Sequence, residues 1–317
     1  MQRRDFLGAL GGAAAWPLAA RAQQAEMPVI GYLSEVSFSA RLNAAFLRGM
    51  AEVGYVEGKN FVLEVRRQSL PEGAADLVRR NANVIFAANP GALFAAIKAT
   101  TSIPLVGIDL ESDPVAKGYV QSIARPGGNI TGMFLDIPQL CGKQLDLLKE
   151  MVPGLSRIAI FGIPGHNAAQ FAATETATGA AGVKAEVLEV RVVDELEGAL
   201  EEARVRPVEA GILLSSPLMF QSSKLIAELA LAKRLPLISL FADFPRNGGL
   251  MAYGPNLEDM YRRCGGYVGK VLHGAKPTEL PLQRPEKFDL IINIKTAKEI
   301  GLVVPPTLLA REDDVIE

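Results

Sequence analysis

From Met27 onward, short runs of consecutive apolar residues alternate with longer stretches in which apolar residues recur every three or four positions. Runs of the first kind predict strands buried on both faces, and stretches of the second predict amphipathic helices. Their alternation predicts an α/β protein with parallel sheets. VIGYL (29–33), NFVLEV (60–65), NVIFAA (83–88) and IPLVGI (103–108) are the first strands. After the first of them, Phe38, Leu42, Phe46, Met50 and Val53 mark a helix over about 38–53. Ser69, Pro71 and Glu72 read as N-cap, entry proline and capping-box acid of a second helix, and Asn89-Pro90 opens a third.

The same cadence then restarts. SRIAIFGI (156–163), a helix through AAQFAATETATGAAG, KAEVLEV (184–190), a helix near 194–204, EAGILLSS (209–216), a helix near 221–233 and LPLISLF (235–241) repeat the strand–helix order. Two similar open-sheet lobes in tandem explain the repetition. Between them, DPVAKGYVQSIARPGGNITGMFLDI, rich in Gly and Pro, reads as a crossover followed by an amphipathic helix near 138–151. After Gly249 come a long helix (about 257–273), a Pro-rich passage (277–285) and one clear strand (288–294), which fit a chain passing back over both lobes. The expected division is a first lobe of 27–125 plus about 254–280, a second of 126–253 plus about 281–304, and a C-terminal tail of 305–317.

The first residues stand apart from this pattern. Arg3 and Arg4 precede an apolar stretch from Phe6 to Ala20, and Ala20-Arg21-Ala22 fits a small-residue cleavage site, so 1–22 reads as an export signal cut after Ala22. The arginine pair followed by Asp5-Phe6-Leu7 resembles a twin-arginine leader, with an ordinary Sec signal as the alternative. Either route places the mature chain in the periplasm. Loss of the leader's net +2 takes the formal charge from −2 to −4, which gives no electrostatic reason to seek nucleic acid. No later run reaches about 18 apolar residues, so no stable membrane insertion is expected. Cys141 and Cys264 permit one bridge but read as two packed free thiols, and His166 and His273 have no ligand-spaced partner, so no metal or other cofactor is expected.

In open parallel sheets ligands bind beyond the carboxyl ends of the strands. The loops there contain Ser34 and Ser37 with Phe38, Asn89, Asp109, His166 and Asn167, Ser215 and Ser216, and Phe241 with Phe244. Ser37, Asn89 and Ser216 are helix-capping residue types, and their comparable placement in both lobes describes an anion-friendly crevice. Phe38, Phe241, Phe244 and Tyr253 are candidates for gripping an apolar ligand, against core packing for any one of them. Asp109 is a candidate acceptor for a ligand amine; Glu111 reads as solvent-facing and Asp113-Pro114 as a helix-start pair. No nucleophile elbow, P-loop or strand-coupled dinucleotide fingerprint is present, so an enzyme is not expected.

MPVIGYL, GYVEGKN, ADLVRR, DPVAKGYVQSIARPGGNITG, GGLMAYGPNLEDMYRRCGGYVGKVLHGAKPTELP and KFDLIINIKTAKEIGLVVPPTLLAREDDVIE, behind the leader, together resemble ABC-transporter substrate-binding proteins of the tryptophan/tyrosine-binding type. The resemblance implies a periplasmic-binding-protein type I fold, two Rossmann-like lobes joined by a multi-strand hinge and closing on a small ligand. It further implies a monomer that delivers an amino-acid-like or aromatic carboxylate ligand to an ABC permease and its ATPase. A sensor subunit on the same fold, or an exported enzyme of tandem Rossmann-like lobes, are the other readings. FGIPGHNAA keeps Asn167 but inserts His166 where relatives have V-N-P-N-N-P, a departure that falls in the cleft.

Overall fold

The structure, a computed structural model, describes residues 27–35, 39–67, 69–135 and 137–317. The export leader, Ser37 and Phe38 lie outside the described residues. Among those described, the strands form two sheets. The first contains β1 (Val29–Leu33), β2 (Val62–Arg66), β3 (Val84–Ala87), β4 (Leu105–Asp109) and β5 (Ile130–Phe134) in the order β2-β1-β3-β4-β5, all parallel. β3 and β4 are buried along their whole length, because helices cover both faces of the sheet. These are α1 (Ala40–Ala51), α2 (Leu70–Arg79) and α3 (Pro90–Ala99).

The second sheet repeats the plan with β6 (Arg157–Gly162), β7 (Lys184–Glu189), β8 (Ala210–Leu213), β9 (Leu237–Ser239) and β10 (Met251–Pro255), then extends it with β11 (Phe288–Asn293) and β12 (Asp314–Ile316). Its order is β12-β11-β10-β9-β8-β6-β7, with only the β10–β11 pair antiparallel. Its helices are α4 (Pro138–Met151), α5 (Ala168–Ala180), α6 (Leu196–Val205), α7 (Pro217–Gln221), α8 (Ser223–Ala232) and α9 (Asp243–Arg246). In both sheets the first strand sits between the second and the third. The strand order therefore reverses at β1/β3 and at β6/β8, where a crevice opens at the carboxyl ends.

The expected lobe boundaries shift at three places. β5, assigned by the boundary at 125 to the second lobe, is hydrogen-bonded to β4 in the first sheet. Its signal was hidden by Gly132, which reads as a turn residue; at φ 137°, with a Cβ position 2.1 Å from the Gly107 oxygen, the site admits only glycine and lets the two strands approach. β10 runs to Pro255 in the second sheet, past the expected limit of 253. Residues 305–317 are no tail: after α11 (Ile294–Glu299) and before β12, the helix α12 (Pro306–Leu309) buries Leu308 completely in the second lobe's core. Ser69 likewise does not cap α2, because its φ of 28° is far from the extended backbone an N-cap needs.

The long helix α10 (Leu257–Leu272) belongs to the first lobe although it follows the second in sequence. Met260, Tyr261, Cys264, Tyr267, Val268 and Val271 pack into the same core as Phe46 and Phe86, whose rings stack 4.6 Å apart. Leaving α10, the chain pairs Gln283 with Gly132 and Phe134 of β5 before entering β11. The lobes are thus joined at β5–α4, at β10–α10 and by this return strap. Cys141 and Cys264 are free and buried in the first lobe's core cluster. Among the described residues no helix is long and apolar enough to cross a membrane.

Candidate functional site between the lobes

The reversal points of the two sheets face each other across a cavity of about 660 Å³, counted with its opening to solvent. In the first lobe, Asn89 closes the start of α3. Its Oδ1 accepts from Ala92 N at 2.8 Å and its amide donates to Ser34 Oγ at 3.3 Å. In the second, Ser216 Oγ accepts from Met219 N at 3.2 Å. The cap of α1 is Ser39, which accepts from Leu42 N at 3.4 Å; the capping role expected for Ser37 falls two residues later. Ser34, Asn89, Ser215, Ser216 and Phe241 all line the cavity, as the loop positions predicted. Phe241 is joined there by Phe220, edge to face at 5.0 Å, and the first lobe contributes Tyr32 and Tyr261. Burial holds both phenols above the ordinary tyrosine value, so they stay neutral, and Tyr261 donates to Ala88 O at 3.2 Å.

Four of the sequence-predicted residues do other work. Asp109 is buried beneath the loop that follows β4: its Oδ1 accepts from the amides of Glu111 and Ser112 at 2.9 and 3.1 Å, and its Oδ2 from the Ser112 hydroxyl. Burial raises its pKa, and those bonds pull it back. Asn167, fully buried, ties two chain segments together by donating to Ser215 O at 2.6 Å and accepting from Ile163 N at 2.7 Å. Gln170, which carried no sequence signal, grips the same residue through Ser215 N at 2.8 Å and Ser215 O at 3.2 Å. Phe244 packs in the second lobe's core, and Tyr253 stacks on Phe288 at 6.2 Å, outside the cavity lining.

Glu111, expected to face solvent, instead lines the cavity with a side chain only 8% exposed. The tight turn built on Asp109 aims it inward. Its Oε1 accepts from Ser215 Oγ at 3.2 Å and its Oε2 lies 2.5 Å from His166 Nε2, so two residues of the second lobe meet one carboxylate of the first. The sequence did hold a signal: a charged residue in a loop at the carboxyl edge of a central strand. Among the described lining residues Glu111 is the one charged side chain. The crevice is therefore acidic rather than anion-friendly. Arg41 makes a second bridge between the lobes, from α1 to Asp243 of α9 at 3.0 Å, and also holds Glu258 of α10 at 2.5 Å.

The contact with Glu111 raises the pKa of His166 above its ordinary value of 6.5, opposed by burial and helped by the nearby Glu35 and Asp109. Glu35 is itself raised, by burial and then by Glu111. Both shifts mean that closing the lobes takes up protons. Below pH 6.5 the imidazole is charged with the cleft open or closed, and the contact contributes fully; the contribution is lost as pH rises through the raised value of the closed form. Ligand affinity measured by titration calorimetry is accordingly expected to fall as pH is raised from about 6 to about 8, across the ordinary histidine range. His166→Gln should flatten the profile, and an unchanged slope in that variant would assign the pH dependence elsewhere.

Two hinged open-sheet lobes enclosing a part-polar, part-aromatic cavity define a two-lobed ligand-binding protein of the periplasmic type I class. The chain belongs to the family of ABC transporter substrate binding proteins, whose sequence profile matches residues 28–316. It is similar to a tyrosine-binding protein of Clostridioides difficile, 23% identical over 266 residues that cover 81% of this chain and 75% of the relative. Among solved structures it resembles an ABC domain from Streptococcus pneumoniae in complex with L-Trp, with a TM-score of 0.82 at 20% identity, covering 91% of this chain and 99% of the other. A conserved domain protein from Vibrio cholerae gives a TM-score of 0.82 at 22% identity, covering 92% of this chain and all of the other. These likenesses establish a shared fold.

Proposed function

We propose that this chain is the periplasmic receptor of an ABC importer, which captures an amino acid with an apolar or aromatic side chain and presents it to a permease. The observation that carries the reading is the interlobe cavity itself, where Glu111 and neutral hydroxyl and amide donors stand beside a wall formed by Phe220 and Phe241. An amino acid offers matching parts. Its side chain lies against the rings, and its carboxylate takes hydrogen bonds from Ser34, Ser39, Ser216 and the Asn89 amide. Contacts from both lobes at once favour the closed form, so ligand and closure are coupled. The binding of tyrosine and of L-Trp named for two relatives supports the same class of ligand. The leader is read as export through Arg3 and Arg4 with cleavage after Ala22, and the cleft carboxylates as ligand and closure contacts rather than a catalytic pair.

The test is a thermal-shift and calorimetric screen of the mature chain against the twenty amino acids. A saturable stabilisation is expected from at least one aromatic or branched aliphatic member, by about 2.7 kcal/mol when the free ligand is a hundred times Kd. Absence of any shift across the set at millimolar concentration would sink the amino-acid reading.

A further inference from the structure

We propose that Glu111 is the acceptor for a protonated amine on the ligand, and that the amine, rather than a carboxylate, is the group this cleft demands. The inference rests on the cavity being a small-ligand site and narrows what that site takes. Glu111 is more than nine-tenths buried and opens onto the cavity. Its Oε2 is covered from solvent and, despite the close approach of His166, makes no aligned hydrogen bond. Its Oε1 has the Ser215 hydroxyl. A carboxylate offers about four lone-pair sites, so two contacts leave room for donors that the protein does not supply.

Charge points the same way. Glu35, Asp109 and Glu111 all act on the one imidazole of His166, so three carboxylates face a single titratable cation. Asp109 spends its oxygens on the turn of residues 109–112, which leaves Glu111 as the acid directed at the cavity. No lysine or arginine is found among the described residues of the lining. A ligand ammonium brings the missing positive charge and three donors, and it would close the hydrogen-bond set of a buried carboxylate. A ligand bearing only a carboxylate adds like charge to a site already rich in it. The hydroxyls and the Asn89 amide are neutral, and they accommodate a carboxylate without requiring one.

The experiment compares, by titration calorimetry on the mature protein at pH 7, four amino acids (L-tyrosine, L-tryptophan, L-phenylalanine and L-leucine) with their des-amino acids and their decarboxylated amines. Amino acids and amines are expected to bind, and the des-amino acids to bind at least about tenfold more weakly, as befits a hydrogen bond to a buried charge. Glu111→Gln should weaken the amine-bearing compounds by about tenfold or more and leave the des-amino acids unchanged, so that discrimination collapses. A purely structural role in lobe closure would weaken every compound alike and preserve the ratio. If the variant does not fold, the wild-type comparison alone decides. Equal binding of amino and des-amino compounds, or an unchanged ratio in the variant, overturns the role of Glu111 while leaving the amino-acid reading standing. Binding of the amines alone upholds Glu111 and overturns that reading; no binding by any amine-bearing compound overturns both.

Discussion

Gly49→Ala is expected to destabilise the protein by about 2–3 kcal/mol, although alanine is the better helix former. Gly49 lies in α1 where α10 crosses it, and an added Cβ would fall 1.8 Å from the backbone oxygen of Arg262. Gly265 and Gly269 of α10 make the reciprocal approach, with Cβ positions 2.2 Å from Phe46 O and 2.2 Å from a Val53 methyl. Because the obstacle is backbone, a helix has to move. Overpacking at the upper end of its usual range, about 3 kcal/mol or more, exceeds the gain of up to about 1 kcal/mol in helix propensity. Gly198→Ala in α6 is the control, since nothing lies within 4 Å of its Cβ position. There the same change should stabilise by about 0.5–1 kcal/mol. Urea denaturation of the two variants is therefore expected to give shifts of opposite sign, and equal shifts would refute the close crossing.

Asn167→Ala is expected to cost about 2–3 kcal/mol, because it removes two buried hydrogen bonds and leaves the Ile163 amide without a partner. Gln170 still holds the Ser215 peptide, so the loop should keep its course and ligand binding should survive. The sequence reading of Asn167 as a ligand residue predicts the reverse: stability near that of the parent and binding abolished. Thermal denaturation beside a binding titration separates the two.

How much was legible in the chain follows from what each residue is asked to do. The alternation of buried strands and 3–4 spaced helices is a local signal, and it placed most elements of both sheets. β5 and β10 were missed because ITGMF and MAYGP carry glycines that are there for contact with a neighbouring strand, a partner invisible from local pattern. The site shows the same division. Loops at the carboxyl ends are predictable from topology, and Ser34, Asn89, Ser215, Ser216 and Phe241 were found through them. Glu111 was not, since its inward direction depends on a turn organised by Asp109 and on His166 from the other lobe. Phe220 was missed because the helix near 221–233 begins earlier than periodicity shows, as the separate turn of α7.

The placement of α10 also bears on the order in which the chain matures. The sheet of the first lobe is complete in sequence at residue 134, but Phe46, Phe86 and Val106 are covered on one side by a helix that begins at residue 257. At a synthesis rate of about 5–20 residues per second, the intervening stretch of roughly 120 residues takes about 6–25 s to make. During that interval the N-terminal lobe exposes an unfinished apolar face. The half of the protein that is made first is therefore the half that must wait for the last fifth of the chain before it can finish folding.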